Sequence, residues 1–338
     1  MPDIIPADLI PYDPFAGMRF GPATCFLSGQ SVGPGDTVPV FADWLQARYG
    51  LADWPIQLLD QRTVLVRDLR LPVSPAVRQR VDELEMTVAA AAAQGPGALR
   101  ALGDDALFLW LGKMFYGIFV TELFNEFEPL IKPRYPLAEN AALLRKFQAF
   151  FQLLQGLRVP TEYADFVPAS IFVLDVDPAE DIMPFEYDDD LNTLVFSIKL
   201  GRSVLVACLV DIGLIGQAMR KVYADAQRPL HPAQAAEFKA RVYYGAHLLH
   251  MVPDLYPRYP RPGDTHLVFD ALIDDVGIAV FNPWENAAYA QALAELWHRW
   301  GIAPAAIMRD PDQPLSLLYT ADGQPQVLPH WPRTPAVD

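Results

Sequence analysis

The run from Ala106 to Val120 constrains this chain more than any other feature: it is apolar almost throughout, and Lys113 is its one charge. The pattern predicts a helix over 104–128 with no polar face, and such a helix must be surrounded by protein. Its apolar stretch of about 15 residues is shorter than the roughly 20 needed to cross a bilayer, so no membrane role is expected. The rest of the chain has to supply the surroundings, and 338 residues that are 52% hydrophobic can do so.

Punctuation along the chain divides the remainder. Residues 1–24 are irregular and rich in proline. Tight turns are expected at Cys25–Gly29 and Gly33–Asp36, a short helix over 41–49, and a hairpin formed by 56–59 and 63–69. Ser74 followed by Pro75 is a cap-then-proline helix start, and that helix runs to about Ala93. Gly95-Pro96-Gly97 breaks it, giving a boundary between a module at 1–95 and a larger unit at 98–330. In the larger unit, helices are expected at 138–155, 213–225, 232–251 and 286–300. Strands are expected at 170–176, 194–200, 203–211, 266–273, 276–281 and 315–319, with Gly201-Arg202 joining a hairpin. Strands linked by tight turns, with helices grouped rather than alternating, predict an α+β fold with an antiparallel sheet.

The N-terminal residues resemble a family. Cys25-Phe26-Leu27-Ser28-Gly29 is followed by Val40-Phe41-Ala42-Asp43-Trp44-Leu45, then by Leu69-Arg70-Leu71-Pro72-Val73-Ser74 running into Asp82-Glu83-Leu84-Glu85. In order and approximate spacing this is similar to the treble-clef module of HNH-type endonuclease-like bacterial proteins. Trp110 to Gly117 and Phe185 to Gly201 are similar to larger proteins carrying that module. The resemblance implies a zinc-binding N-terminal unit and a histidine that activates water. Most of those residues are missing. Of the zinc positions Cys25 remains, while Ser28, Val73 and Ser74 stand at the others, and Val38 or Pro39 stands where the histidine would be. No histidine precedes His231. A structural zinc site takes about four Cys or His ligands, so this is expected to be a degenerate, metal-free module in which packing by Phe26, Leu27, Trp44 and Leu45 replaces the ion.

Three other constellations carry possible chemistry. His247 and His250 share a face of the predicted helix, and Asp264 and His266 share a face at the start of a strand; together they could form a two-histidine-plus-carboxylate metal site. Eight acids and no base lie between Asp175 and Asp190, among them Glu186, Asp188 and Asp190, and oxygen-rich segments of this kind suit hard cations. Thr193 and Lys199 occupy positions where a calcium loop needs glycine and glutamate, so the segment is not an EF-hand. The alternatives are a solvated loop or an acidic edge that binds a partner. Lys113 is a buried polar candidate, either a base of lowered pKa or one half of an ion pair with a carboxylate.

The chain carries 41 acids against 26 bases, a formal charge of −15, which opposes nucleic-acid binding. Its two cysteines imply no disulfide framework, and the first residues lack a signal-peptide pattern, so a cytoplasmic location is expected. Phosphate-binding, dinucleotide-binding and nucleophile-elbow motifs are absent, and no cofactor is expected. These readings converge on a non-catalytic, HNH-like protein acting through a protein partner. The competing expectation is a divalent-metal-dependent hydrolase or nuclease using the acidic segment or the His247/His250 cluster.

Overall fold

The computed structural model of the chain describes residues 9–17, 20–58, 62–126, 140–180, 183–250, 254–272 and 279–328. In chain order the elements are β1 (Thr37–Pro39), α1 (Asp43–Tyr49), β2 (Pro55–Gln57), β3 (Thr63–Leu65), β4 (Arg70–Pro72), α2 (Pro75–Gln94), α3 (Pro96–Ala101), α4 (Asp104–Glu126), α5 (Ala141–Leu153), β5 (Thr161–Tyr163), β6 (Ser170–Val176), β7 (Phe185–Asp190), β8 (Val195–Leu200), β9 (Ser203–Cys208), α6 (Leu214–Asp225), β10 (Pro229–Leu230), α7 (Pro232–Leu248), β11 (Asp254–Pro257), β12 (Leu267–Leu272), α8 (Asn286–Trp297) and α9 (Pro304–Ile307). The class is α+β.

The main sheet has five strands in the order β10-β6-β9-β8-β7. Its β6/β9, β8/β9 and β7/β8 pairs are antiparallel, while the two-residue β10 pairs parallel with β6. β11-β12-β5 form a second sheet, and β1/β4 and β2/β3 are short antiparallel pairs. The sheet side chains alternate between two layers, as a pleated strand requires. Val173, Phe196, Ile198, Leu205 and Ala207 join a core built from the N-terminal strands, α2, α4 and α5. Phe172, Leu174, Val195 and Val206 face α6 and α7 on the other side. α8 then packs on α7 through Leu293 and Trp297.

α4 is the axis of the larger core, as its lack of a polar face predicts. Phe108, Trp110, Phe115, Tyr116 and Phe119 are all fully buried. Two glycines let neighbours come close. A Cβ on Gly112 would lie 2.6 Å from Leu154 Cδ2, and one on Gly117 would lie 2.6 Å from Val40 Cγ2. On α5, Phe147 stacks on Phe119 with ring centres 3.5 Å apart. The same core contains Cys25, Val40, Leu71 and Val73 from the other side of Gly95. No helix among the described residues is long and apolar enough to cross a membrane.

Several expected elements take another form. The expected strand 63–69 splits into β3 and a 3-10 turn at Val66–Asp68. The segment 315–319 forms only an isolated bridge from Tyr319 to Pro325, because the Leu317 and Leu318 N–H groups donate to the Glu237 carboxylate instead. The expected strand over 276–281 lies partly outside the described residues, and Phe281 bridges to Leu249.

Candidate functional site

The Cys25–Gly29 turn is closed by hydrogen bonds from Cys25 N–H to the Gln30 carbonyl (2.8 Å) and from Gly29 N–H to the Cys25 carbonyl (3.0 Å). Phe26 N–H donates to the Pro72 carbonyl at 2.9 Å, which fastens the turn to the end of β4. Ser74 is the N-cap residue of α2. The main chain thus joins the turn carrying Cys25 and Ser28 to the strand–helix junction carrying Val73 and Ser74. Their chemistry does not form a metal centre. Cys25 and Val73 are fully buried among apolar groups, and the Ser28 hydroxyl lies 3.4 Å from the Gln30 N–H. Among the described residues no group of three or more His, Cys, Asp or Glu side chains is placed to hold a metal.

An ion pair lies next to this junction. Lys113 points from α4 to Glu85 on α2, and the two form a salt bridge with side chains 1% and 11% exposed. The second carboxylate oxygen of Glu85 accepts from the indole N–H of Trp44 on α1 and of Trp110 on α4, both at 2.9 Å. The two indoles stack with ring centres 6.2 Å apart. Lys113 also donates to the Pro39 carbonyl of β1 at 3.3 Å. One carboxylate and one ammonium therefore tie together β1, α1, α2 and α4, and every charge has a partner. Lys113 takes the ion-pair alternative. Glu85 lies 28 positions away and on a different helix, where no spacing rule points to it.

The structure does not bring the histidine cluster together. α7 ends at Leu248, so His250 lies beyond the helix and its N–H donates to the Val280 carbonyl; the shared face expected of His247 and His250 is not formed. The backbone turns extended at Leu249, which bridges to Phe281. His247 stacks on Tyr244. β12 begins one residue after His266, whose Nε2 lies 3.2 Å from Glu162 Oε2, and Asp264 accepts from the Arg261 N–H at 2.6 Å.

The acidic segment is not a loop throughout. Phe185–Asp190 forms β7, an edge strand of the main sheet. Phe185 packs on Tyr49 and Trp54, and Tyr187 on Phe41, which gives the strand an apolar face. The carboxylates are dispersed: Glu186 pairs with Arg299 at 2.5 Å, Asp188 with Lys239 at 2.6 Å, and Asp190 accepts from Asn192 N–H and the Thr193 hydroxyl. Burial pushes Asp189 up to about 6, partly opposed by the Tyr187 hydroxyl that donates to it.

Sequence reading missed a cleft of about 970 Å3 between β6, the loop after β5 and the start of α6. Behind it, the buried Asp211 carboxylate accepts from Ser170 N–H (2.8 Å), the Ser170 hydroxyl (2.5 Å), Gly213 N–H (3.2 Å) and Ile215 N–H (2.8 Å). Burial pushes Asp211 up to about 6 despite these four donors. The carboxylate fills the anion-attracting N-terminus of α6 from within. Ile212 and Asp165, both on the lining, hold left-handed backbone at φ 46° and 59°. A left-handed β-branched residue is uncommon, and no sequence signal marks it.

Comparison with known proteins finds no matching family model, no matching curated protein and no matching solved structure.

Proposed function

We propose that this is a non-catalytic, HNH-like protein, a degenerate zinc finger that acts by binding a protein partner. The observation that carries the reading is the junction of the Cys25–Gly29 turn with β4 and α2. There one thiol, one hydroxyl turned to its own backbone, a valine and a helix cap stand where the resemblance would put ligands. The Glu85–Lys113 pair with its two indoles crosslinks the surrounding elements, which is the mechanical role a structural ion would have. The acids that could serve a hydrolase are engaged singly by Lys239, Arg299, Asn192 and Thr193. A charge of −15 repels phosphate backbones and favours a basic protein surface.

The test has two arms. The full chain is incubated with plasmid DNA in the presence of magnesium, manganese or zinc, and no cleavage above a buffer control is expected. Cleavage abolished by Asp188→Asn or Asp190→Asn would overturn the reading in favour of a metal-dependent nuclease. In the second arm the chain is recovered from cross-linked cells of its source, where a protein present at comparable molar amount is expected; recovery of the chain alone would count against a partner.

A further inference from the structure

We propose that the cleft beside β6 is where the partner docks, by adding an extended, basic segment to the open edge of that strand. This rests on the partner-binding reading above and specifies the surface and the chemistry of the occupant.

Among the described residues no strand covers this edge beyond β10, which is two residues long and pairs with β6 at Asp175 and Val176 alone, and the edge is free at Ile171. Val176 N–H donates to the Arg202 carbonyl on the β9 side. Alternation along the strand then turns the main-chain groups of Phe172 and Leu174 toward β9, and those of Ile171 and Val173 outward. Val173 is occupied by side chains: its N–H donates to the Tyr223 hydroxyl at 3.2 Å, and its carbonyl accepts from Arg100 Nε at 3.0 Å. Ile171 has no such partner among the described residues, and it lines the cleft. An outward N–H and carbonyl at the floor of a concave site are what an added strand pairs with.

The walls specify the occupant. Asp104 and Asp165 line the cleft and form no ion pair among the described residues, whereas Asp270 is held by Arg258 through two 2.7 Å bonds. Among the described residues Arg220 is the one cation on the lining, and Arg100 lies beside it at the Val173 carbonyl. The balance is negative, on a chain that is itself strongly acidic, so a segment bearing Lys or Arg is the complementary one. Tyr163, Phe166 and the 43%-exposed Val167 offer apolar and aromatic surface for alternate side chains and for a cation over a ring.

The probe is a short fluorescein-labelled peptide alternating lysine with valine or threonine, titrated with the full chain and read by anisotropy at near-physiological salt. Binding is expected, weakened about tenfold by N-methylating a central amide, the equivalent of one or two lost backbone hydrogen bonds. Asp104→Asn with Asp165→Asn is expected to weaken it severalfold, and a glutamate-for-lysine peptide should not bind. Ile171→Pro should abolish binding where it folds; the N-methylated peptide keeps the test valid where it does not. Equal binding of the methylated peptide would overturn strand addition. A dimer of the chain that Asp104→Asn with Asp165→Asn dissociates would overturn the proposal in favour of a second copy. No binding, with a stoichiometric partner still recovered from cells, would overturn the cleft and leave the partner reading standing.

Discussion

Replacing Lys113 with methionine is expected to cost about 3–5 kcal/mol of folding free energy, the range for removing one member of a buried ion pair. Lys113 is 1% exposed, so water cannot replace the lost ammonium. Methionine fills most of the space but leaves the Glu85 carboxylate facing two indole donors and no counter-charge, and leaves the Pro39 carbonyl without its donor. Against a total stability of about 5–15 kcal/mol, that loss is large. The double variant Lys113→Met, Glu85→Gln should lose less than Lys113→Met alone. A glutamine oxygen still accepts from Trp44 and Trp110, and no uncompensated charge remains. Urea unfolding followed by tryptophan fluorescence measures both, since Trp44 and Trp110 flank the pair. A loss below about 1 kcal/mol for Lys113→Met, or a double variant less stable than the single, would refute the argument that this pair holds the N-terminal elements to α4.

Asp189→Asn should stabilise the protein by about 1–2 kcal/mol at pH 7. The folded state raises this carboxyl from 3.8 to about 6, so the folded form holds its proton more tightly than the unfolded chain does. The penalty of charging it therefore grows from about pH 4 to about pH 6 and is fully present above that; unfolding midpoints of the two proteins should converge near pH 4. Asp211→Asn should act the other way, losing about 2–4 kcal/mol, because the amide NH2 that replaces one carboxylate oxygen would face two donors, either the Ser170 and Gly213 N–H groups or the Ser170 hydroxyl and the Ile215 N–H. Its thermal midpoint at neutral pH is the check. Gly117→Ala should cost about 1–2 kcal/mol, the crowding of Val40 and Leu71 outweighing the helix preference for alanine; a stabilised variant would mean that Val40 moves aside freely.

The helices were legible because their signals are local. Ser74-Pro75 starts α2, and the apolar run through Lys113 fixes α4. The Gly201-Arg202 hairpin is equally local and joins β8 to β9. The features that sequence missed depend on contacts between distant residues. β5 and β11 are short strands held by β12, and β10 consists of Pro229 and Leu230 alone. β7 is poor in strand-forming residues apart from Phe185 and Tyr187, and it is a strand because those two side chains find Phe41, Tyr49 and Trp54. The cleft is formed where β6 runs past the end of β10, with Ile212 and Asp165 in backbone conformations that their side chains do not announce.

The wealth of Val, Ile and Leu predicted strands at 170–176, 194–200 and 203–211, and the structure places β6, β8 and β9 there. The sequence could not say that Lys113 would meet Glu85. Nor could it say that α7 would stop at Leu248, which separates His247 from His250. In both cases the helix pattern is correct and the functional expectation depended on which neighbour the helix meets or where its last turn ends.

The most direct test of a metal-free, non-catalytic module is elemental analysis of the purified full chain by mass spectrometry, with thermal unfolding in chelator as a companion measurement. The account predicts no zinc, manganese or iron in stoichiometric amount and the same unfolding midpoint with and without chelator. One bound transition metal per chain, whose removal lowers that midpoint, would contradict it.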